Sequence, residues 1–180
     1  MVSSDEALMI AYRRGESKAF DELLLRYRTP LFSTLRRLVG DRALAEDLFQ
    51  ETFLRVIQHA GRYDAGRKFS GWVFRIARNL AVDALRQRGV RREEELDDEH
   101  QDPAGGPDRA LARAEQGEAI SRALELLPLE QREVFLMREW AGLSFKEIAE
   151  VTESPLNTVL GRMHLAVKKL RACLAEHAEA

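Results

Sequence analysis

Residues 69–88, FSGWVFRIARNLAVDALRQR, decide the fold class. Placed at steps of about 100° per residue, Val73, Ile76, Ala77, Leu80 and Ala84 share one apolar stripe, as in a helix with one side turned to a core. Ser70 is placed to cap that helix, its hydroxyl accepting from free N–H groups of the first turn. The far side carries Trp72, Arg75, Asn79, Val82, Asp83 and Arg86. An aromatic, an amide and two guanidinium groups can stack an unpaired base, bond its edge and hold phosphates. The plainer alternative is a surface helix whose Trp72 is half covered by a neighbour, and the stretch alone does not choose between them.

The preceding sequence extends the helical reading. Residues 5–14 predict a short amphipathic helix stopped by Gly15. A second helix is expected from about Ser17 to Val39, with Leu23, Leu24, Tyr27, Leu31, Leu35 and Leu38 at mostly helical spacing. Pro30 lies inside it and predicts a kink or break. Gly40 ends it, and Asp41 caps a third helix, residues 42–60, with Leu44, Leu48, Phe53, Leu54 and Ile57 facing inward. GRYDAGRK, residues 61–68, reads as a loop. These helices make a first all-α domain, residues 1–89.

Residues 90–109, VRREEELDDEHQDPAGGPDR, have too few apolar groups to offset the entropy of ordering and predict a flexible acidic linker. A second small helical domain, residues 110–180, follows. Its first helix, residues 110–127, carries Ile120, Leu124 and Leu127 at helical spacing. Pro128 opens the next, where its missing N–H costs nothing; Phe135, Leu136 and Trp140 anchor that helix and Gly142 ends it. Ser144 and Glu147 form a capping box for a short helix, residues 145–151. A tight turn leads to a last helix from Pro155 to about His177, with Val159, Met163, Ala166 and Leu170 on one stripe. Short helix, turn and longer helix make a helix-turn-helix. On the last helix Asn157, Thr158, Gly161 and Lys168 face outward with Arg162 and Lys169 on the flank, suited to base edges and phosphates or simply to water.

Charge follows the same division. Residues 1–90 hold 16 Lys/Arg against 11 Asp/Glu, while residues 91–115 hold 4 against 9, within a whole chain of net charge −2. The basic first half suits nucleic-acid contact. No apolar run approaches the roughly 20 residues of a membrane span, and the N-terminus lacks the basic start of a signal peptide, so a cytoplasmic protein with no membrane partner is expected. The single Cys173 and four scattered histidines present no metal-ligand spacing, and no nucleophile, phosphate-loop or paired-carboxylate pattern stands out. Neither a metal, a cofactor nor catalysis is expected.

The chain resembles bacterial RNA polymerase sigma factors of the extracytoplasmic-function type. FDELLLRYRTPLFSTLRRLVGDRALAEDLFQETFLRV and FSGWVFRIARNLAVDALRQR are similar to sigma domain two, and LPLEQREVFLMREWAGLSFKEIAEVTESPLNTVLGRMHLAVKKLR to sigma domain four. The resemblance implies an initiation factor that binds core RNA polymerase through its beta-prime and beta subunits, melts the minus-ten element and docks on the minus-thirty-five element. It assigns Asp47, Gln50, Glu51 and Phe53 to the polymerase, and Tyr63, Lys68, Trp72, Arg75, Asn79 and Arg86 to minus-ten DNA. Asn157, Thr158, Gly161, Arg162, Leu165 and Lys168 fall to minus-thirty-five DNA. Relatives often read GTVKSR where this chain reads NTVLGR, so Leu160 and Gly161 stand for a cation and a hydroxyl. Many relatives are restrained by an anti-sigma factor, which makes one a candidate partner. Two rivals remain at this point: an autonomous helix-turn-helix regulator, and a sigma-like decoy whose partners are proteins only.

Overall fold

The computed structural model describes residues 3–94 and 119–178, and among them every regular element is a helix. In chain order these are α1 (Asp5–Arg13), α2 (Ser17–Val39), α3 (Arg42–His59), α4 (Phe69–Glu94), α5 (119–125), α6 (Leu129–Glu139), α7 (Phe145–Thr152) and α8 (Leu156–Ala178). One 3-10 turn, Ala60–Arg62, leads out of α3.

Helix ends follow local chemistry. Ser4 and Asp41 accept from the N–H groups of Ala7 (3.1 Å) and Leu44 (2.9 Å), capping α1 and α3. Gly40 closes α2 at φ 72°, a left-handed position where a side chain would be strained. The Ser144–Glu147 capping box is complete at α7. Ser70, however, does not cap α4: the helix begins at Phe69, whose N–H donates to Glu6 Oε1 of α1 at 3.1 Å. A carboxylate from another element thus meets the positive helix end, and the Ser70 hydroxyl is released for a different partner.

Helix α2 runs through Pro30 without a break. A proline inside a helix costs about 3 kcal/mol, and burial of Leu23, Tyr27, Leu31, Leu35 and Leu38 along one side offsets it. On α3 the buried residues are Ala45, Leu48, Thr52, Phe53 and Val56. Leu54 and Ile57, expected inward, are exposed at 51% and 43%, because the stripe follows the 3.6-residue period one position away from them. Val82, expected on the far side of α4, is buried. Packing of α7 as well as α2 and α3 against α4 encloses that helix on more than one side. Helix α4 also continues through Gly89 to Glu94, into what the sequence reads as linker; the rest of that segment and the start of the helix expected from residue 110 lie outside the described residues.

The two halves pack against each other. Helix α6 lies on α2 and α7 lies on α4, and the buried side chains of both halves form one contiguous cluster. Leu31, Leu35, Phe74, Ala77 and Met137 meet around a gap of only about 10 Å³, so the contact has the tight fit of an interior. Arg37 lies 4.6 Å from the Trp140 ring centroid, and Arg132 donates to the Leu38 carbonyl at 3.3 Å and to the carbonyls of Glu125 and Leu127. Burial lowers the pKa of both guanidinium groups, of Arg37 with help from its neighbour Arg36.

Candidate nucleic-acid and polymerase interfaces

The start of α4 and the loop before it enclose a pocket of about 290 Å³, lined by Arg62, Tyr63, Asp64, Arg67, Lys68, Gly71, Trp72, Arg75 and Glu150. Its floor is aromatic. Tyr63 and Trp72 have ring centroids 5.0 Å apart, Phe69 lies 5.9 Å from each, and Tyr27 backs Phe69 at 5.1 Å. The loop is held by two bonds of its own and one from α1: the Tyr63 hydroxyl donates to the Arg67 carbonyl (2.6 Å), the Gly66 N–H donates to Asp64 Oδ1 (2.9 Å), and Arg13 of α1 donates to the Tyr63 carbonyl (3.2 Å). Burial, then the nearby Glu6 carboxylate, pushes the Tyr63 phenol up to about 12. Tyr63 is 4% exposed, so its ring supports the loop from beneath, whereas Trp72 is half-buried with part of its surface toward the pocket.

Four of the six residues expected at minus-ten DNA therefore meet in one pocket: Tyr63, Lys68, Trp72 and Arg75. Asn79 and Arg86 lie exposed farther along α4, outside it. Arg62 and Arg67, which the sequence reading passed over, add two exposed cations to the rim; the signal available was their charge in a glycine-bearing loop. The arrangement can take a flat apolar group against indole and hold an anion at the rim.

The second half of the chain reaches into this site. Glu150 lines the pocket, Glu153 pairs with Arg75, and the Ser70 hydroxyl donates to Glu147 Oε1 at 2.7 Å. Burial opposes the charge on Glu147. Hydrogen bonds from the Ser144 hydroxyl and N–H and from Ser70, with Lys68 nearby, prevail and hold its pKa below the usual carboxylate value. Deeper, Arg78 clasps Glu133 with two hydrogen bonds, 2.8 and 3.1 Å; Glu133 is 1% exposed. Nothing in the sequence reading marked either residue, because their charges look like ordinary helix surface until the halves are brought together.

The face expected to meet polymerase lies on α3. Asp47 and Gln50 are exposed, and Glu51 is half-buried in a pair with Arg55 at 2.9 Å. Phe53 instead points into the core, 5.1 Å from Phe49 and 6.0 Å from Phe20, and can only support that face from behind. A groove of about 380 Å³ adjoins it between α2 and α3, lined by Arg28, Phe32, Arg42, Phe49 and Gln50 among others. On α8, Asn157, Thr158, Gly161, Leu165 and Lys168 are exposed together, and Arg162 donates to the Ser154 hydroxyl at 3.0 Å across the turn before the helix. A Cβ built on Gly161 would meet nothing within 4 Å.

Residues 23–91 match the family Sigma-70 region 2, and residues 117–170 match Sigma-70, region 4. The chain is 31% identical over 173 residues to the RNA polymerase sigma-H factor of Pseudomonas aeruginosa, covering 90% of this chain and 89% of that one. It belongs to the RNA polymerase sigma factors of the extracytoplasmic-function type. The SigW factor of Bacillus subtilis is 30% identical over 174 residues, with 91% and 93% of the two chains covered. SigE of Mycolicibacterium smegmatis is 35% identical over 164 residues, though this chain spans 63% of that relative's length. Among solved structures, CnrH in complex with the cytosolic domain of CnrY is similar at a TM-score of 0.76 and 26% identity, covering 97% of this chain and 99% of that one. This sigma factor is a transcription initiation factor that directs RNA polymerase to promoters; core polymerase and promoter DNA are its partners. Among the described residues no helix is long and apolar enough to cross a membrane.

Proposed function

We propose that residues 1–89, extended by the end of α4, carry both the polymerase grip and the opening of the minus-ten element, and that residues 110–180 dock on the minus-thirty-five element. In this reading the chain works in the cytoplasm and catalyses no reaction; the energy of strand opening comes from binding. The observation that carries it is the pocket of Lys68, Trp72 and Arg75, backed by an aromatic floor and rimmed by Arg62 and Arg67. Unstacking one base costs a few kcal/mol, and a stacked aromatic returns about 1–3 kcal/mol per base. Cations beside the indole add charge neutralisation, so capture in the pocket favours the open strands. Asp47, Gln50 and Glu51 supply the acidic polymerase-facing surface. Asn157, Thr158 and Arg162 read minus-thirty-five bases, Leu165 meets a thymine methyl, and Lys168 holds phosphate. An anti-sigma protein belongs to the reading as a candidate partner.

Permanganate footprinting of unpaired thymines, with core polymerase and promoter DNA, tests the pocket. Trp72→Ala should lower open-complex formation more than closed-complex binding, by roughly 1–3 kcal/mol for the loss of one stack. Asn79→Ala, outside the pocket, should do the same through the loss of a base-edge hydrogen bond. Equal losses in both complexes would remove the melting role.

A further inference from the structure

We infer that this sigma factor shuts its own minus-ten site: carboxylates of domain four occupy the groups on α4 that promoter DNA must reach, and the pairing of partly exposed Arg78 with buried Glu133 latches the closed arrangement. The inference rests on the minus-ten reading of the pocket and adds to it a self-imposed restraint.

Three observations meet here. Glu147, Glu150 and Glu153 are spaced three apart, one side of α7 and of the turn that follows. That side bonds Ser70, lines the pocket and pairs with Arg75, all within the first two turns of α4. A phosphate would seek the same cation and hydroxyl, so closure and DNA binding at Arg75 exclude one another, and each must weaken the other.

The second observation is Glu153 itself. At φ 52° it is the one non-glycine residue with a left-handed backbone among the described residues. The position is the C-cap of α7, a place that favours glycine; a glutamate there instead carries a carboxylate that reaches Arg75. The third is the fit of the interface. Glu133 is enclosed and answered by both hydrogen bonds of Arg78, beside apolar packing that includes Met137. A buried carboxylate so dependent on one partner makes closure specific to this register of the two halves.

The consequence for affinity is simple. If the open form makes up about a tenth of the population, the apparent affinity for single-stranded DNA falls about tenfold. Full-length protein tests this with two readouts: fluorescence anisotropy with fluorescein-labelled oligo(dT), and the radius of gyration from X-ray scattering. The variants are Glu153→Gly, which also relieves the left-handed backbone and so protects the fold, and Glu153→Gly combined with Glu133→Gln. Because removing acids raises DNA affinity everywhere, Glu130→Gln with Glu139→Gln serves as a charge-matched control away from the interface. The combined variant should expand and bind oligo(dT) about tenfold more tightly than that control. A combined variant that stays compact, or one that expands and gains nothing over the control, overturns the inference. Adding Trp72→Ala to the opened variant separates the two readings. Loss of the gain supports both. A gain that survives supports the masking but refutes Trp72 as the stacking platform.

Discussion

Arg78→Ala is the substitution whose size says most about how the halves are joined. It strands Glu133, which is 1% exposed and takes both of its hydrogen bonds from that guanidinium. In a rigid interior, removing one partner of a buried pair costs about 3–5 kcal/mol. For a chain of this size that is a fall in Tm of roughly 6–20 °C. A latch behaves differently, because opening returns Glu133 to water and the loss cannot exceed the free energy of opening. An open form at about a tenth of the population sets that ceiling near 1.4 kcal/mol, or roughly 3–6 °C. Thermal unfolding by circular dichroism, paired with X-ray scattering, measures both quantities. The expected result is the smaller fall together with a larger radius of gyration. Arg78→Met with Glu133→Leu fills the same space without charge and should keep the protein compact, with neutral or raised stability. A fall of the full size in an Arg78→Ala protein that remains compact would refute the latch and make the two halves one cooperative unit.

Asp47→Arg with Glu51→Lys should weaken association with core polymerase while leaving helicity unchanged, since both side chains lie off the buried stripe of α3; co-elution at moderate salt checks it. Glu147 has a depressed pKa, so its contribution is present above its unfolded value of about 4.5 and is lost as pH falls through the lower folded value. Thermal unfolding of the wild type should therefore weaken across that acidic window, and Glu147→Gln should flatten the dependence. Gly161→Ala should stabilise α8 by about 1 kcal/mol, since the added Cβ meets open space. It should nonetheless weaken binding to every minus-thirty-five sequence alike if DNA approaches the backbone there, as a base-substituted promoter set would reveal.

What could be read from the sequence was local, and what could not was made by contacts across the chain. The Gly40 stop, the Asp41 cap and the Ser144–Glu147 box depend on residues within four positions, and all three are present. The last helix likewise buries Val159, Ala166 and Leu170 as its period demands. Ser70 looked like a cap because nothing nearby showed that Glu6, 63 residues earlier, would reach the Phe69 N–H. Pro30 predicted a kink or break because propensity is local; the helix is unbroken because the stripe that holds it is satisfied by other helices. Tyr63 counted as an aromatic in a loop, a natural base platform, until Phe69 and Trp72 folded over it. The residues that join the halves, Arg37, Arg78, Arg132, Glu133 and Glu153, carry no periodic signal, since a charge at a helix surface reads the same whether its partner is water or another domain.

Transcription from a genomic DNA library by core polymerase, with and without the full-length chain, tests the central claim most directly through the start sites of the transcripts. The account predicts a discrete set of new start sites that share two upstream motifs at fixed spacing and disappear when the chain is omitted. Start sites identical to those of core polymerase alone would contradict it. In that event, polymerase binding without initiation would mark a decoy, and DNA binding without polymerase an autonomous regulator.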